Sequence, residues 1–213
     1  MPNPWTWDDI SHRYRNIATG RYLSARQMLG LRDQFVDAMK AKSDALVHRL
    51  AAGDISSQQW VLEMRKQIKT TYIDEYVLAR GGRQNMTQRD WGIIGHMTRD
   101  QYGYLSKLEQ DLRDGKLSEA QASARARMYI ESGTQAYERG RSEGLGMPRL
   151  PAYPGDGQTI CRANCRCNWH IEDVGNAWSC TWTLGHAEHC EDCVTNAARW
   201  APLMIGKSTG YIQ

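Results

Sequence analysis

The sequence predicts a mainly α protein, two long helical hairpins followed by a small treble-clef-like α+β module that binds zinc. Three observations carry this. Apolar residues recur at helical spacing over four stretches between residues 24 and 144. All six cysteines fall between Cys161 and Cys193. A run dense in glycine and proline, from Gly144 to Gly157, separates the two patterns and is incompatible with helix. The chain therefore divides into an N-terminal arm (1–22), a helical domain (23–147), a Gly/Pro-rich linker (148–160) and a zinc-binding module (161–213).

The arm has two early prolines and few apolar repeats, with Trp5, Trp7 and Tyr14 available to dock on the body or on a partner. The first helix spans residues 24–52, with Leu31, Phe35, Met39, Leu46 and Leu50 on its stripe and Ala52-Gly53 at its end. Ser56 with Gln59 forms a capping box for a second helix reaching about Arg80, striped by Trp60, Met64, Ile68, Tyr72 and Tyr76. Gly81-Gly82 stops it. Thr87 with Asp90 opens a third helix to about Asp114, lined by Trp91, Ile94, Tyr102, Leu105, Leu108 and Leu112. Ser118 with Gln121 caps a fourth, read as continuous to about Gly144, with Ala122, Ala126, Tyr129, Ile130 and Tyr137 inward. The joints at Gly53–Gln59 and Gly115–Gln121 are alike, and the same loop chemistry used twice explains them better than a duplication.

The cysteine region reads as knuckle, hairpin, second pair and helix. The knuckle holds Cys161, Cys165 and Cys167; the second pair is Cys190 and Cys193. Between them Cys167, Trp169 and Ile171 alternate with Asn168, His170 and Glu172. Gly175-Asn176 turns the chain, and Trp178, Cys180, Trp182 and Leu184 share the next face. A short helix follows Cys193 and stops near Pro202. Thiolates at such spacing converge on a soft cation, and a CxxC is the common half of a structural zinc site. Cys190 and Cys193 are the clearest ligands and Cys165 joins them. Cys161 or Cys167 completes the set, and His189 is an alternative for one cysteine. Cys180 reads as a buried small hydrophobe, and His186 as a surface loop residue. Disulfides, free thiols or an iron–sulfur cluster are the other readings, but 160 residues without a cysteine do not suit a disulfide scaffold. Zinc would replace the core that a tail of about 55 residues cannot build alone.

An apolar content of 41% supports a true core, no run approaches a membrane span, and the first residues lack a signal-peptide pattern, which predicts a reducing cytosol as the site of synthesis. The net charge of +3 is unevenly placed. Residues 1–150 hold 23 Lys+Arg and 18 Asp+Glu, whereas 151–213 hold 4 and 6. A tetrathiolate zinc makes the tail more negative still, so the module reads as a folding staple or protein-contact unit rather than a DNA reader.

No serine-hydrolase elbow, phosphate loop, dinucleotide fingerprint or His-Glu-x-x-His occurs. His170-Ile-Glu172 followed by Cys190-Glu-Asp-Cys193 has the spacing of a zinc deaminase, but the proline and the helix of that motif are missing, and three cysteines would be idle. Asp74-Glu75 and Asp8-Asp9 read as solvated surface. Arg13, Arg15, Arg21, Arg26, Lys40, Lys42, Arg65, Lys66 and Lys69 can reach a phosphate backbone, although acids interleave with many of them.

The stretch from Leu150 to Trp169, with Asn164-Cys165-Arg166-Cys167 at its core, resembles the C-terminal end of tailed-bacteriophage head morphogenesis (minor head) proteins, which close on His-Pro-Asn-Cys-Arg-Cys. Arg162-Ala163 stands where that family has His-Pro, and the tail beyond Trp169 is longer. The resemblance covers about a tenth of the chain. It implies a non-enzymatic virion structural or assembly protein, made in the host cytoplasm and located in the phage head, with metal binding or fold closure at Cys165 and Cys167 and Cys161 substituting for the family's His. The expected partners are the portal or major capsid protein, DNA along the helical domain, and a second copy of the chain; no membrane partner is expected. The alternatives are a DNA-associated packaging factor and a zinc-dependent hydrolase or deaminase.

Overall fold

The computed structural model describes residues 5–185, 188–207 and 210–211. Five helices build the body: α1 (Ala25–Ala51), α2 (Ser57–Ala79), α3 (Gln88–Arg113), α4 (Glu119–Glu131) and α5 (Thr134–Gly144). The four long stretches begin at side-chain caps. Ser24, Ser56, Thr87 and Ser118 each accept the N–H of the residue three positions on, whose own side chain accepts the cap N–H in return. The box at Ser24–Gln27 was not among the sequence expectations. α1 and α3 end alike. Gly53 and Gly115 take left-handed φ values of 78° and 65°. The next amide then bonds five residues back, Asp54 to Arg49 at 2.9 Å and Lys116 to Asp111 at 3.0 Å. Both similar joints thus use one hydrogen-bond pattern.

α2 is the central helix and touches α1, α3, α4 and α5. Its stripe of Trp60, Met64, Ile68, Tyr72 and Tyr76 is fully buried and meets Leu46, Val47, Ile94, Leu105, Leu108, Ala122 and Ala126 in one core. At roughly 1.5–3 kcal/mol for each large apolar side chain, this stripe dominates the stability of the body. The first-helix stripe needs correction. Leu31 is 47% exposed, while Val36 and Val47, absent from the expected stripe, are buried. The wheel turns because α1 packs against α2 and α4 on neighbouring sides rather than against one partner.

The expected fourth helix is in fact two. Ser132 ends α4 and Gly133 precedes α5. A Cβ on Gly133 would lie 2.7 Å from the Thr71 methyl, so the chain breaks where it passes close over α2. No sequence periodicity reports such a contact, because the apolar spacing continues across the break.

The residues read as an arm form a hairpin, β1 (Trp5–Asp8) with β2 (Arg13–Asn16), extended by a bridge from Arg15 to Tyr22. Trp7 and Tyr14 meet edge to face at 4.9 Å on its inner side, and the Tyr14 hydroxyl donates to the Leu78 carbonyl at 3.1 Å. Gly81 admits this docking, since any Cβ there would occupy the Trp7 ring.

Beyond α5 the chain forms β3 (Asn168–Asp173), β4 (Ala177–Thr183), α6 (Glu191–Arg199), β5 (Leu203–Gly206) and β6 (Gly210–Tyr211), with the antiparallel order β3-β4-β5-β6. The hairpin alternation is as expected: Trp169, Cys180 and Trp182 are buried, and His170 and Glu172 are exposed. β5 and β6 were not anticipated, because Leu203–Gly206 is too short to display alternation. Trp169, Trp182 and Trp200 form a triangle of rings with centroids 5.2–5.7 Å apart. Met147, Leu150 and Tyr153, from the glycine- and proline-rich run, complete this second core. Among the described residues, no helix is long and apolar enough to cross a membrane.

Candidate metal centre

The cysteines converge because three elements end at one point. A single 3-10 turn at Arg162–Asn164 separates Cys161 from Cys165, with Arg162 at a left-handed φ of 49°. Cys167 directly precedes β3. Cys190 is the N-cap of α6, and Cys193 lies in its first turn. The Ile160 amide donates to Asp192 at 2.7 Å, which pins the knuckle to the start of α6.

The sulfurs of Cys161, Cys165 and Cys193 lie within 4.8 Å of one another. Cys193 stands 3.7 Å from Cys161 and 3.6 Å from Cys165. Zinc bound tetrahedrally at about 2.3 Å per sulfur holds thiolates about 3.8 Å apart, whereas a disulfide requires about 2.0 Å. All six cysteines are free, and the observed spacing suits a shared cation. Of the five expected ligands, Cys161, Cys165 and Cys193 form this group, and Cys167 and Cys190 lie near it without joining it at that distance. The described cluster can hold a metal.

The surroundings favour thiolates. The hydrogen bond from Cys165 lowers the Cys167 thiol to about 5 against the opposing effect of burial, and the Gly185 amide adds to it. The nearby Trp182 indole nitrogen is buried without a hydrogen-bond partner. The same hydrogen bond to Cys167, followed by burial, drives the Cys165 thiol well up. Burial raises Cys193 as well. At Cys190 burial is outweighed by the backbone amides of Cys193 and Cys161, which hold its thiol below the ordinary value. Five thiols crowded together cannot all ionise unless a cation neutralises them.

Sequence reasoning missed the supports of this cluster. Gly185 is one: a Cβ there would lie 2.3 Å from the Arg166 carbonyl oxygen, so only glycine lets the chain cross the knuckle. Thr159, with its hydroxyl 3.2 Å from Cys161, is another. The body also grips the module. Glu138 on α5 accepts the Trp169 amide at 3.5 Å, and Arg141 donates to the Trp169 carbonyl at 3.0 Å. A charged pair on α5 gave no sign that it would satisfy a strand end thirty residues on.

The remaining expectations resolve individually. Cys180 is fully buried, outside the group, and burial pushes its thiol up to about 11. His189 is exposed beside Cys190 and outside the group. His186 lies outside the described residues. His170 and Glu172, the pair a deaminase would place at the metal, bind each other at 2.9 Å on the exposed face of β3. Glu75, read as solvated surface, requires correction: it is buried and receives Arg32 at 2.7 Å. Its position faces α1, where Arg32 supplies the charge that makes burial tolerable.

No family model, curated protein or solved structure matches this chain.

Proposed function

We propose that this chain is a non-enzymatic head component of a tailed bacteriophage, acting in virion structure or assembly through contacts with the portal or major capsid protein. A structural zinc closes its C-terminal module in a treble-clef-like way. Cys161, Cys165 and Cys193 supply three ligands, and Cys190 and Cys167 are the two candidates for the fourth. The observation that carries the reading is the triangle of sulfurs at zinc-like spacing, built on a knuckle whose Asn-Cys-Arg-Cys core resembles the end of minor head proteins. Every candidate ligand is a cysteine, which favours a closed structural site over a catalytic one that keeps a position open. His170 and Glu172 bind each other on the exposed face of β3, which weighs against the deaminase reading.

Quantitative mass spectrometry of purified particles against infected-cell lysate tests the reading. A fixed, low number of copies per particle is expected. Abundance in lysate with absence from particles would overturn the virion assignment and leave a transient assembly factor.

A further inference from the structure

We propose that the outer face of the N-terminal hairpin binds the phosphate backbone of nucleic acid. In β2, alternation puts Arg13 and Arg15 on the side opposite Tyr14, which is turned toward α2. Tyr22 joins that outer side through its bridge to Arg15, and the Arg13 guanidinium lies 5.0 Å from its ring centroid. Arg21 is the chain neighbour of Tyr22, and Arg26 lies in the first turn of α1. All four arginines and the tyrosine are exposed.

Some exposed arginines elsewhere on the body are neutralised in place, Arg113 by Glu109, Arg125 by Asp111 and Arg127 by Asp44, whereas Arg49, Arg65 and Arg99 stand singly without an ion pair among the described residues. Arg13, Arg15, Arg21 and Arg26 form no ion pair among the described residues. The nearest acid on the face is Asp8, and its carboxylate already accepts the Tyr22 hydroxyl at 2.6 Å, the Ser11 hydroxyl at 2.7 Å and the Ile10 amide at 3.2 Å. Asp9 is the other acid in the segment.

The chemistry of the face selects its partner. Residues 5–26 contain four arginines and no lysine. Guanidinium is the planar, two-pronged donor that fits phosphate, and it stacks on aromatic rings where ammonium does not. Arg13 and Arg15 are two residues apart along a strand, about 7 Å, so they reach successive points on an extended polyanion. The exposed tyrosine between them offers a stacking surface that is indifferent to sequence. This assignment is independent of the phage reading and of zinc.

The test is fluorescence anisotropy of the zinc-loaded full chain with a labelled duplex DNA across a salt series. Wild-type protein is expected to bind with an affinity that falls steeply with salt. Changing Arg15→Glu, Arg21→Glu and Arg26→Glu together should weaken binding by about tenfold or more and flatten the log–log salt slope by roughly 2 to 3. The matched triple change of Arg65, Lys66 and Lys69 to Glu on α2 should leave most of the affinity. Hydrogen exchange on wild-type protein gives a check that no variant can confound, with protection expected over residues 13–26 when DNA is added. Three outcomes would overturn the proposal: no salt-dependent binding, loss of binding only in the α2 variant, or tighter binding to anionic-lipid vesicles or polyglutamate than to DNA.

Discussion

At the scale of single residues, the two buried polar groups with the most to lose are Cys193 and Asp90. Cys193 stands within 3.7 Å of both Cys161 and Cys165, so Cys193→Ser is expected to abolish bound zinc and unfold the cysteine module, read by metal content and near-ultraviolet dichroism. Cys180→Ala deletes only a buried sulfur and should leave bound zinc per chain unchanged; loss of metal there would break the ligand assignment. Asp90 is buried at the third position of α3, where it accepts the Thr87 amide at 2.7 Å, the Thr87 hydroxyl at 2.8 Å and the Tyr76 hydroxyl at 2.8 Å. Burial works to raise its pKa, but those donors and Arg80 win and hold it below the ordinary 3.8. A depressed folded pKa means the charged form stabilises the fold above the unfolded value, with the benefit lost as pH falls through the folded one. Asp90→Asn should therefore cost about 1–3 kcal/mol at neutral pH. The gap to wild type, measured by denaturant unfolding, should narrow below about pH 4. A gap independent of pH would assign the loss to packing rather than charge.

At the scale of elements, the contact between α2 and α5 depends on a glycine at position 140. A Cβ on Gly140 would lie 2.9 Å from the Ala79 Cβ and 3.0 Å from the Tyr76 carbonyl oxygen, neither of which can swing aside. Gly140→Ala is thus expected to lose about 1–3 kcal/mol despite the better helix propensity of alanine. Thermal melts that showed a gain instead would mean α5 shifts freely on α2. Caps and turns were the most readable features at this scale. Ser56, Thr87 and Ser118 announce their helices because the capping chemistry is local to three residues. The break at Gly133 and the strand Leu203–Gly206 were not readable, since each depends on a partner far along the chain, Thr71 in one case and β4 in the other.

At the scale of the whole molecule, two large cores, beside a small cluster of Val36, Met39 and Ile130, share one chain and meet at a polar seam. The helical core centres on α2, whereas the second is built from tryptophans and cysteines. Glu138 and Arg141 clasp the two backbone groups of Trp169 across the seam. Because the cores are separate, removing metal should act on one of them. Chelation is expected to red-shift tryptophan emission as Trp169, Trp182 and Trp200 become wet, with most of the helical far-ultraviolet signal retained. Simultaneous loss of both signals would show that the body cannot stand without the module.

The sequence alone determined the mainly helical body, its caps, the hairpin that follows the knuckle, and the gathering of cysteines near one another, because periodicity, capping and ligand spacing are properties of neighbouring residues. Tertiary structure decided the rest: which three cysteines stand together, that Glu75 and Arg32 are buried together, that the hairpin from residue 5 folds back on α2 with Arg13 and Arg15 outward, and that Gly185 lets the chain cross the knuckle. Each of these depends on distance between segments remote in the chain, and spacing along one segment carries no record of what packs against it.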